Sequence, residues 1–405
     1  MTVKETGRKA LRERLREEIR QEISSWRQIE DAELYEIIDR QIFAVGEQQY
    51  LPLKERMQLR SSLFNSFRRL DILQQLMDNP DITEVMINGG DHIFVEENGV
   101  MHPWDYGFES EEQLEDLIQQ VVSKVNRVVN VSNPIADARL EDGSRVHVVL
   151  PPVSLDGPVM TIRKFPRVIT MDMLVESGAV TAEAAGFLAK LVRSGYNIFV
   201  SGGTNSGKTT FLNALSAFIP EDERVITIED SAELQIQQVK NLVRLETRPA
   251  NSQGEGAIGI GDLIKASLRM NPSRIIVGEV RGKEALELLN SYNTGHDGGM
   301  STGHGNSPAD MLARLEVMVS MAADLPVSAI RSQIASALDI LVHLGRLKDK
   351  SRKVFWIVEV DGYEDGKIQL HTLYELGPEG LEKKGELKNR RKLQMAGEEA
   401  PEERG

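Results

Sequence analysis

Tyr196-Asn197-Ile198-Phe199-Val200 reads as a buried strand and runs without a break into Ser201-Gly202-Gly203-Thr204-Asn205-Ser206-Gly207-Lys208-Thr209-Thr210. Phe211 to Phe218 then has the composition of a helix. Gly202 to Thr209 match G-x-x-x-x-G-K-[ST] in full, with strand, loop and helix in the order that pattern requires. A chain holding this unit is committed to a layered α/β structure. Positions without side chains let successive N–H groups turn inward around phosphate oxygens. The helix N-terminus adds unsatisfied donors and a positive partial charge. The candidate cradle is therefore Gly202, Gly203, Thr204, Asn205, Ser206, Gly207, Lys208, Thr209 and Thr210. Lys208 is expected to reach the β and γ phosphates of a nucleotide, and the Thr209 hydroxyl to ligate Mg²⁺. Asn205 stands where glycine would be the easiest choice, and asparagine tolerates a left-handed backbone better than most residues. The loop speaks for nucleotide phosphate more directly than for hydrolysis. No Asn-Lys-x-Asp segment follows the core strands, which weighs against a GTPase.

Two further apolar strands end in carboxylates. Arg224-Val225-Ile226-Thr227-Ile228 leads to Glu229-Asp230, and Arg274-Ile275-Ile276-Val277-Gly278 leads to Glu279. Ligands collect at the carboxyl edge of open α/β sheets, where such a group can hold Mg²⁺ through water or orient and deprotonate an attacking water. Glu229 and Glu279 are thus candidate catalytic carboxylates, with solvated strand ends as the competing reading. Gly298 to Ser307 begins as a strand and ends as a polar loop. Thr302 there could sense a γ phosphate and His304 could transmit that state, against a plain structural loop. Charge on the equatorial oxygens of a transferred phosphoryl group must also be neutralised. Arg139, Arg145 and Arg163 are candidates, with surface solubility or acidic pairing as their alternatives. His296 and His304 lack a third zinc ligand at a convincing spacing, and Ser301 lacks a nucleophile-elbow context.

The rest of the chain frames this loop. Its 405 residues suggest two or three domains. Lys+Arg 48 against Asp+Glu 62 leaves a net charge of −14, which argues against a general nucleic-acid coat. The absence of cysteine excludes thiol catalysis, disulfides and thiolate metal sites. No stretch approaches the roughly 20 apolar residues that cross a bilayer, so any membrane association is expected to be peripheral. Leu11, Leu15, Ile19, Ile23 and Trp26 recur at three- and four-residue steps, opening a helical region over 1–75. Short strands with Gly/Asn turns from Asp81, a helix over Glu111 to Val129 capped by Ser110, and strands at 138–140, 145–150 and 159–163 predict a compact α/β domain over 76–168. Residues 169–180 read as an interdomain linker, with a short helix and motion expected at Thr170 to Ser177. Residues 181–376 read as a second, mostly parallel α/β domain, and 377–405 as a charged flexible tail.

The phosphate loop, Ile228-Glu229-Asp230, Ile276-Val277-Gly278-Glu279-Val280-Arg281 and Thr302-Gly303-His304 form an ordered set. This set resembles the secretion ATPase superfamily of type II and type IV secretion and type IV pilus systems. Asn241 to Pro249, Ala138 to Val146 and Thr161 to Phe165 are similar in detail to its CpaF-like branch, which assembles Tad/Flp pili. The resemblance covers about Leu70 to Leu373. It implies a RecA-like P-loop ATPase domain preceded by a small α/β domain and an N-terminal helical bundle. It further implies a homo-hexameric ring that hydrolyses ATP with Mg²⁺, the nucleotide lying between the two α/β domains. By the same resemblance Glu229 is the acidic catalytic residue and Glu279 the Walker B carboxylate, a metal ligand beside Thr209. His304 is the histidine-motif residue, and Arg145 and Arg163 approach nucleotide from the N-terminal domain, with Arg139, Arg244 and Arg248 weaker choices. The implied partners are polytopic inner-membrane pilus platform proteins, with indirect action on prepilin and no direct nucleic acid contact. The implied location is cytoplasmic, peripherally at the inner face of the membrane. Asn205 and Gly305 depart from the glycine and alanine that many relatives carry. Alternatives are a type IV secretion ATPase moving protein or DNA, and a nucleotide-regulated scaffold without hydrolysis; net acidity disfavours a helicase.

Overall fold

The computed structural model describes residues 3–398 apart from 24–29, 49, 69, 98, 109, 125–127, 166–167, 249, 251–254 and 379, with backbone alone at 3–10 and 48. The chain divides into two compact units, Met1–Arg167 and Val168–Gly405.

In the first unit, helices α1 (Val3–Glu22), α2 (Asp31–Gln48) and α3 (Leu53–Arg68) share a small core. Leu15 and Ile19 from the expected stripe are fully buried and pack with Leu34, Ile38, Leu63 and Phe64. Trp26 and Val125, both read as stripe residues, lie outside the described residues. Helix α4 (Gln74–Asp78) leads into an antiparallel sheet of β1 (Ile82–Asn88), β2 (His92–Glu97), β3 (Val100–Trp104), β4 (Ile135–Arg139), β5 (Arg145–Val149) and β6 (Val159–Arg163). Their spatial order is β3-β2-β1-β6-β5-β4. Alternation along the strands puts Val85, Ile87, Val146, Val148, Met160 and Ile162 on one face, packed with Leu114, Ile118 and Val121 of α5 (Glu111–Ser123). Ser110 caps α5 as expected, accepting from the Gln113 N–H at 3.3 Å. The helix stops at Ser123 rather than Val129. Buried Asp71 joins the helical region to the sheet layer: it pairs with Arg12 of α1 and accepts from Gln113 Nε2 of α5 at 2.6 Å.

The second unit is a nine-stranded sheet with helices on both faces. Its elements are α6 (Met171–Glu176), α7 (Ala182–Arg193), β7 (Ile198–Gly202), α8 (Lys208–Ser216), β8 (Arg224–Glu229), β9 (Asn241–Glu246), α9 (Ile260–Ser267), β10 (Arg274–Val277), α10 (Ala285–Asn293), β11 (Met300–His304), α11 (Pro308–Ser320), α12 (Val327–Ala337), β12 (Ile340–Arg346), β13 (Arg352–Glu364), β14 (Lys367–Gly377), β15 (Gly380–Lys383) and α13 (Arg391–Met395). The spatial order is β15-β14-β13-β12-β7-β11-β10-β8-β9. The six strands from β12 to β9 run parallel, and β13 to β15 extend the sheet antiparallel. Because both faces are covered, the central strands are continuous apolar runs whose alternate residues feed different cores. Ile198, Val200 and Ile276 pack with α7 and α8, whereas Phe199, Ile275 and Val277 pack with α9 to α12. This is the RecA-like α/β architecture that the motif order implies.

The short helix expected in the connector is α6, whose Met171 is buried in the same core as α7 and α8. The chain from 377 to 398 is not a flexible tail, which corrects that expectation. β14 continues to Gly377, β15 pairs with it, and Leu381, Leu387 and Leu393 are buried in the core. Glu359 accepts the backbone N–H groups of Lys388 at 2.9 Å and Asn389 at 2.7 Å, which fixes the segment between β15 and α13. Three leucines spaced six apart among charges make no helical or strand period, so composition hid them. Residues 399–405 lie outside the described set. Among the described residues no helix is long and apolar enough to cross a membrane.

Candidate nucleotide site

Four loops meet at the carboxyl edge of the parallel sheet, after β7, β8, β10 and β11. The first is the phosphate loop. Gly202 lies in register between His304 of β11 and Leu344 of β12. A Cβ there would stand 2.5 Å from both Leu344 O and Ser206 Oγ, so only glycine fits. Asn205 takes a left-handed φ of 59° and Gly207 one of 90°, the turn geometry that the sequence anticipates for an anion-binding nest. One strand position earlier, Ser201 Oγ lies 2.9 Å from His343 Nδ1. Burial lowers the pKa of His343 and favours its neutral form, in which Nδ1 can accept from the serine hydroxyl. Arg352, at the start of β13, donates from Nε to Asn205 O at 3.0 Å.

Lys208 begins α8 and is buried. Its Nζ donates to Gly203 O at 3.1 Å and lies 3.3 Å from His304 Nδ1. Burial pushes the ammonium pKa down, so its protein surroundings disfavour the charge it holds. His304 is pushed below its ordinary range by burial first and by the Lys208 charge second. Neutral His304 then accepts from Lys208 at Nδ1 and turns Nε2 to Glu279, 2.8 Å from Oε1. The contact is an ion pair only when His304 is protonated, and among the described residues Glu279 Oε1 is buried with no hydrogen-bond donor. The other oxygen accepts from Arg281 Nη2 at 2.7 Å. Glu279 is fixed by its neighbours: Gly278 N–H donates to Ile228 O and Val280 N–H to Thr302 O, each at 2.9 Å.

Glu229 sits at the end of β8 with 3% of its surface exposed. Oε1 accepts from the N–H groups of Glu233 at 2.8 Å and Leu234 at 3.0 Å, while Oε2 is buried with no donor among the described residues. Burial pushes its pKa up to about 7, outweighing the two N–H bonds that favour the carboxylate. Gly278 makes room for it: a Cβ there would meet Glu229 Cγ at 2.9 Å. The Thr302 hydroxyl is buried and donates to Gly278 O at 2.8 Å, so its expected place as a γ-phosphate sensor is corrected to a structural stitch. At Gly305 a Cβ would press on Met311 at 3.1 Å. Glycine thus lets this loop close onto α11, and Gly305 N–H reaches Gly202 O at 3.4 Å.

The donor set suits magnesium. The Thr209 hydroxyl and Glu279 carboxylate are hard oxygens, the few protein ligands Mg²⁺ takes when phosphates and waters supply the rest. The orphaned Glu279 Oε1 is an acceptor suited to a metal-bound water. The candidate arginines are in the first unit. Arg145 and Arg163 stand directly opposite each other on β5 and β6, and Arg139 opposes Arg145. Arg248 donates instead to Gly256 O at 2.9 Å. Sequence reasoning missed roles for Gly278, Arg281 and Arg352. Alternation along an extended segment could have placed Arg281 beside Glu279, whereas Arg352 is brought in only by strand pairing.

A phosphate loop on a RecA-like sheet, faced by two strand-end carboxylates, Glu229 buried and Glu279 partly buried, defines a P-loop nucleotide-binding protein. Residues 68–390 match the family model described as "Type II/IV secretion system protein", and the chain belongs to that family. It is 33% identical to conjugal transfer protein TrbB of Rhizobium radiobacter over 74% of this chain and 90% of that one. Against the type IV secretion system protein PtlH of Bordetella pertussis identity is 32%, covering 68% and 89%. The fold is similar to that of the ATPase DotB of Legionella pneumophila, with a TM-score of 0.54 and 20% identity over 71% of this chain and 80% of that one.

Proposed function

We propose that the protein is an ATP-hydrolysing motor that powers Tad/Flp pilus assembly, acting as a homo-hexamer on a polytopic membrane platform at the inner face of the membrane. The observation that carries the enzymatic reading is the chain Lys208–His304–Glu279–Arg281 beside the phosphate loop, with Glu229 on β8, separated from the loop-bearing β7 by β11 and β10, at a pKa of about 7. Lys208 would leave His304 for the β and γ phosphates, which supply the counter-charge that its burial withholds. Glu229 would take the proton of the attacking water at Oε2, the oxygen that has no donor among the described residues. Thr209 and Glu279 would hold Mg²⁺, which when bound would supply charge neutralisation at the phosphate oxygens. Arg145 and Arg163 would complete that neutralisation from the first unit. The three-helix region ahead of the family match, together with the CpaF-like detail of the sequence, supports the pilus branch. Turnover of ATP by the full chain with its platform tests the motor. A folded assembly that neither binds nor cleaves ATP overturns it.

The names of the relatives favour a second reading, transfer of protein or DNA through a type IV secretion channel. Deletion in the source cell separates the two: loss of surface filaments supports the pilus motor, and loss of intercellular transfer with filaments intact supports the secretion motor.

A further inference from the structure

We infer that Arg352 is a positioning residue of the phosphate loop, locking the Asn205–Ser206 peptide with its N–H turned toward the nucleotide. The inference rests on the ATP-binding reading above and adds a residue that lies far outside the loop motif.

A trans peptide carries its C=O and N–H on opposite sides. The Asn205 carbonyl faces out of the loop, where Arg352 Nε donates to it at 3.0 Å. The N–H of the same peptide belongs to Ser206 and faces inward, where Gly203 O accepts it at a long 3.4 Å. That inward N–H is one of the donors from which an anion nest is built. Rotation of this peptide would aim a carbonyl oxygen at the phosphates and replace attraction with repulsion. The danger is real at this position, because Asn205 sits at φ 59° and Gly207 at φ 90° on either side of Ser206, a region of the map with little intrinsic preference to hold it.

Arg352 opposes the rotation in two ways. Its guanidinium makes a charge-assisted bond to the outward carbonyl. Pull on that oxygen also polarises the amide and makes the opposite N–H a stronger donor. The mount is rigid. Arg352 opens β13 and opposes Arg346 of β12, the hairpin between them is closed by Leu347 N–H donating to Ser351 O at 2.9 Å, and Val354 two residues on is fully buried. β12 is also the strand whose Leu344 carbonyl crowds Gly202 and whose His343 meets Ser201. The stem of Arg352 runs alongside the loop's last glycine: a Cβ at Gly207 would lie 3.4 Å from its Cδ. The β12–β13 hairpin therefore forms the outer wall of the cradle, and Arg352 is its point of contact with the turning peptide.

Because the peptide serves the phosphates in common, its loss should weaken ADP and a slowly hydrolysed ATP analogue alike. The test is titration of the full chain with both ligands in the presence of magnesium, alongside ATP turnover and thermal melting. Arg352→Leu should raise both dissociation constants by about tenfold, equivalent to about 1.4 kcal/mol. It should leave kcat at saturating ATP within about twofold of wild type, and the melting temperature of this exposed position unchanged. Arg352→Lys, which keeps a cationic donor, should recover part of the affinity. Wild-type affinities in Arg352→Leu overturn the inference, as does a loss confined to the ATP analogue, which would mean direct contact with the γ phosphate. Failure of the wild-type chain to bind either ligand would sink the nucleotide reading itself, a separate result.

Discussion

The two edges of the nine-stranded sheet hold similar numbers of buried charges and treat them in opposite ways. At the amino edge, Arg274 is 2% exposed and fully engaged: it forks onto Glu223, with Nη2 donating to Oε1 at 2.7 Å, and donates from Nη1 to Val192 O at 2.6 Å. Nearby, Asp339 accepts from Asn197 N–H at 2.7 Å and from Lys392 Nζ at 2.8 Å. At the carboxyl edge, Glu229 and Glu279 each keep a buried oxygen with no donor among the described residues, and Ser206 Oγ has no partner among them either. A buried charge left partly unsatisfied costs stability. The contrast separates charges that hold the fold from charges kept ready for a ligand.

The largest expected effect tests the carboxyl edge. Glu229→Gln should lower ATP turnover by about 10²–10⁴-fold, the usual worth of a positioned base, while leaving nucleotide affinity nearly intact. In the wild type, kcat/KM should fall on the acid side with a midpoint near pH 7, where Glu229 takes up its proton. The sign for stability is opposite to that of an ordinary carboxylate. Its folded pKa is raised from 4.5 to about 7, so its contribution is fully present below about 4.5 and is lost as pH rises through 7. Glu229→Gln should therefore melt above wild type at pH 8, with the gap narrowing toward pH 5. Equal melting curves at both pH values would break the comparison.

Lys208→Ala is next, with turnover down about 10²–10³-fold and melting nearly unchanged, because burial disfavours this ammonium. At the amino edge the pattern should invert. Glu223→Ala strands a buried guanidinium and should cost about 3–5 kcal/mol in denaturant unfolding, while turnover per folded molecule holds.

The same contrast explains what the sequence made legible. The phosphate loop and both carboxylates were readable because each is written within ten residues, as an apolar strand followed by a fixed turn or an acid. Ser110 and Pro308 marked helix starts for the same local reason. Pairings between distant segments were not readable. Arg352 reaches Asn205 only through strand order, and Asp71 reaches Arg12 and Gln113 only through tertiary packing. The segment from 377 to 398 resembled a tail because its charges outnumber its leucines, although three leucines and the carboxylate of Glu359 suffice to seat it.

The smallest expected effects come from one methyl group placed at each edge. At Gly278 a Cβ would stand 2.9 Å from Glu229 Cγ and 3.4 Å from its Oε1. Gly278 does not need a left-handed backbone, so the strain of Gly278→Ala falls on the base. A shift of a few tenths of an ångström should lower turnover by about tenfold, in line with the sensitivity of positioned groups, with little change in melting. At Gly298 a Cβ would stand 2.7 Å from Arg274 Nη1, and φ is 76°. Gly298→Ala should therefore cost about 1–3 kcal/mol through overpacking and backbone strain, measured by denaturant unfolding, with turnover per folded molecule unchanged. If Gly278→Ala unfolds the protein and Gly298→Ala slows it, the two edges do not divide function from fold as their hydrogen bonding suggests.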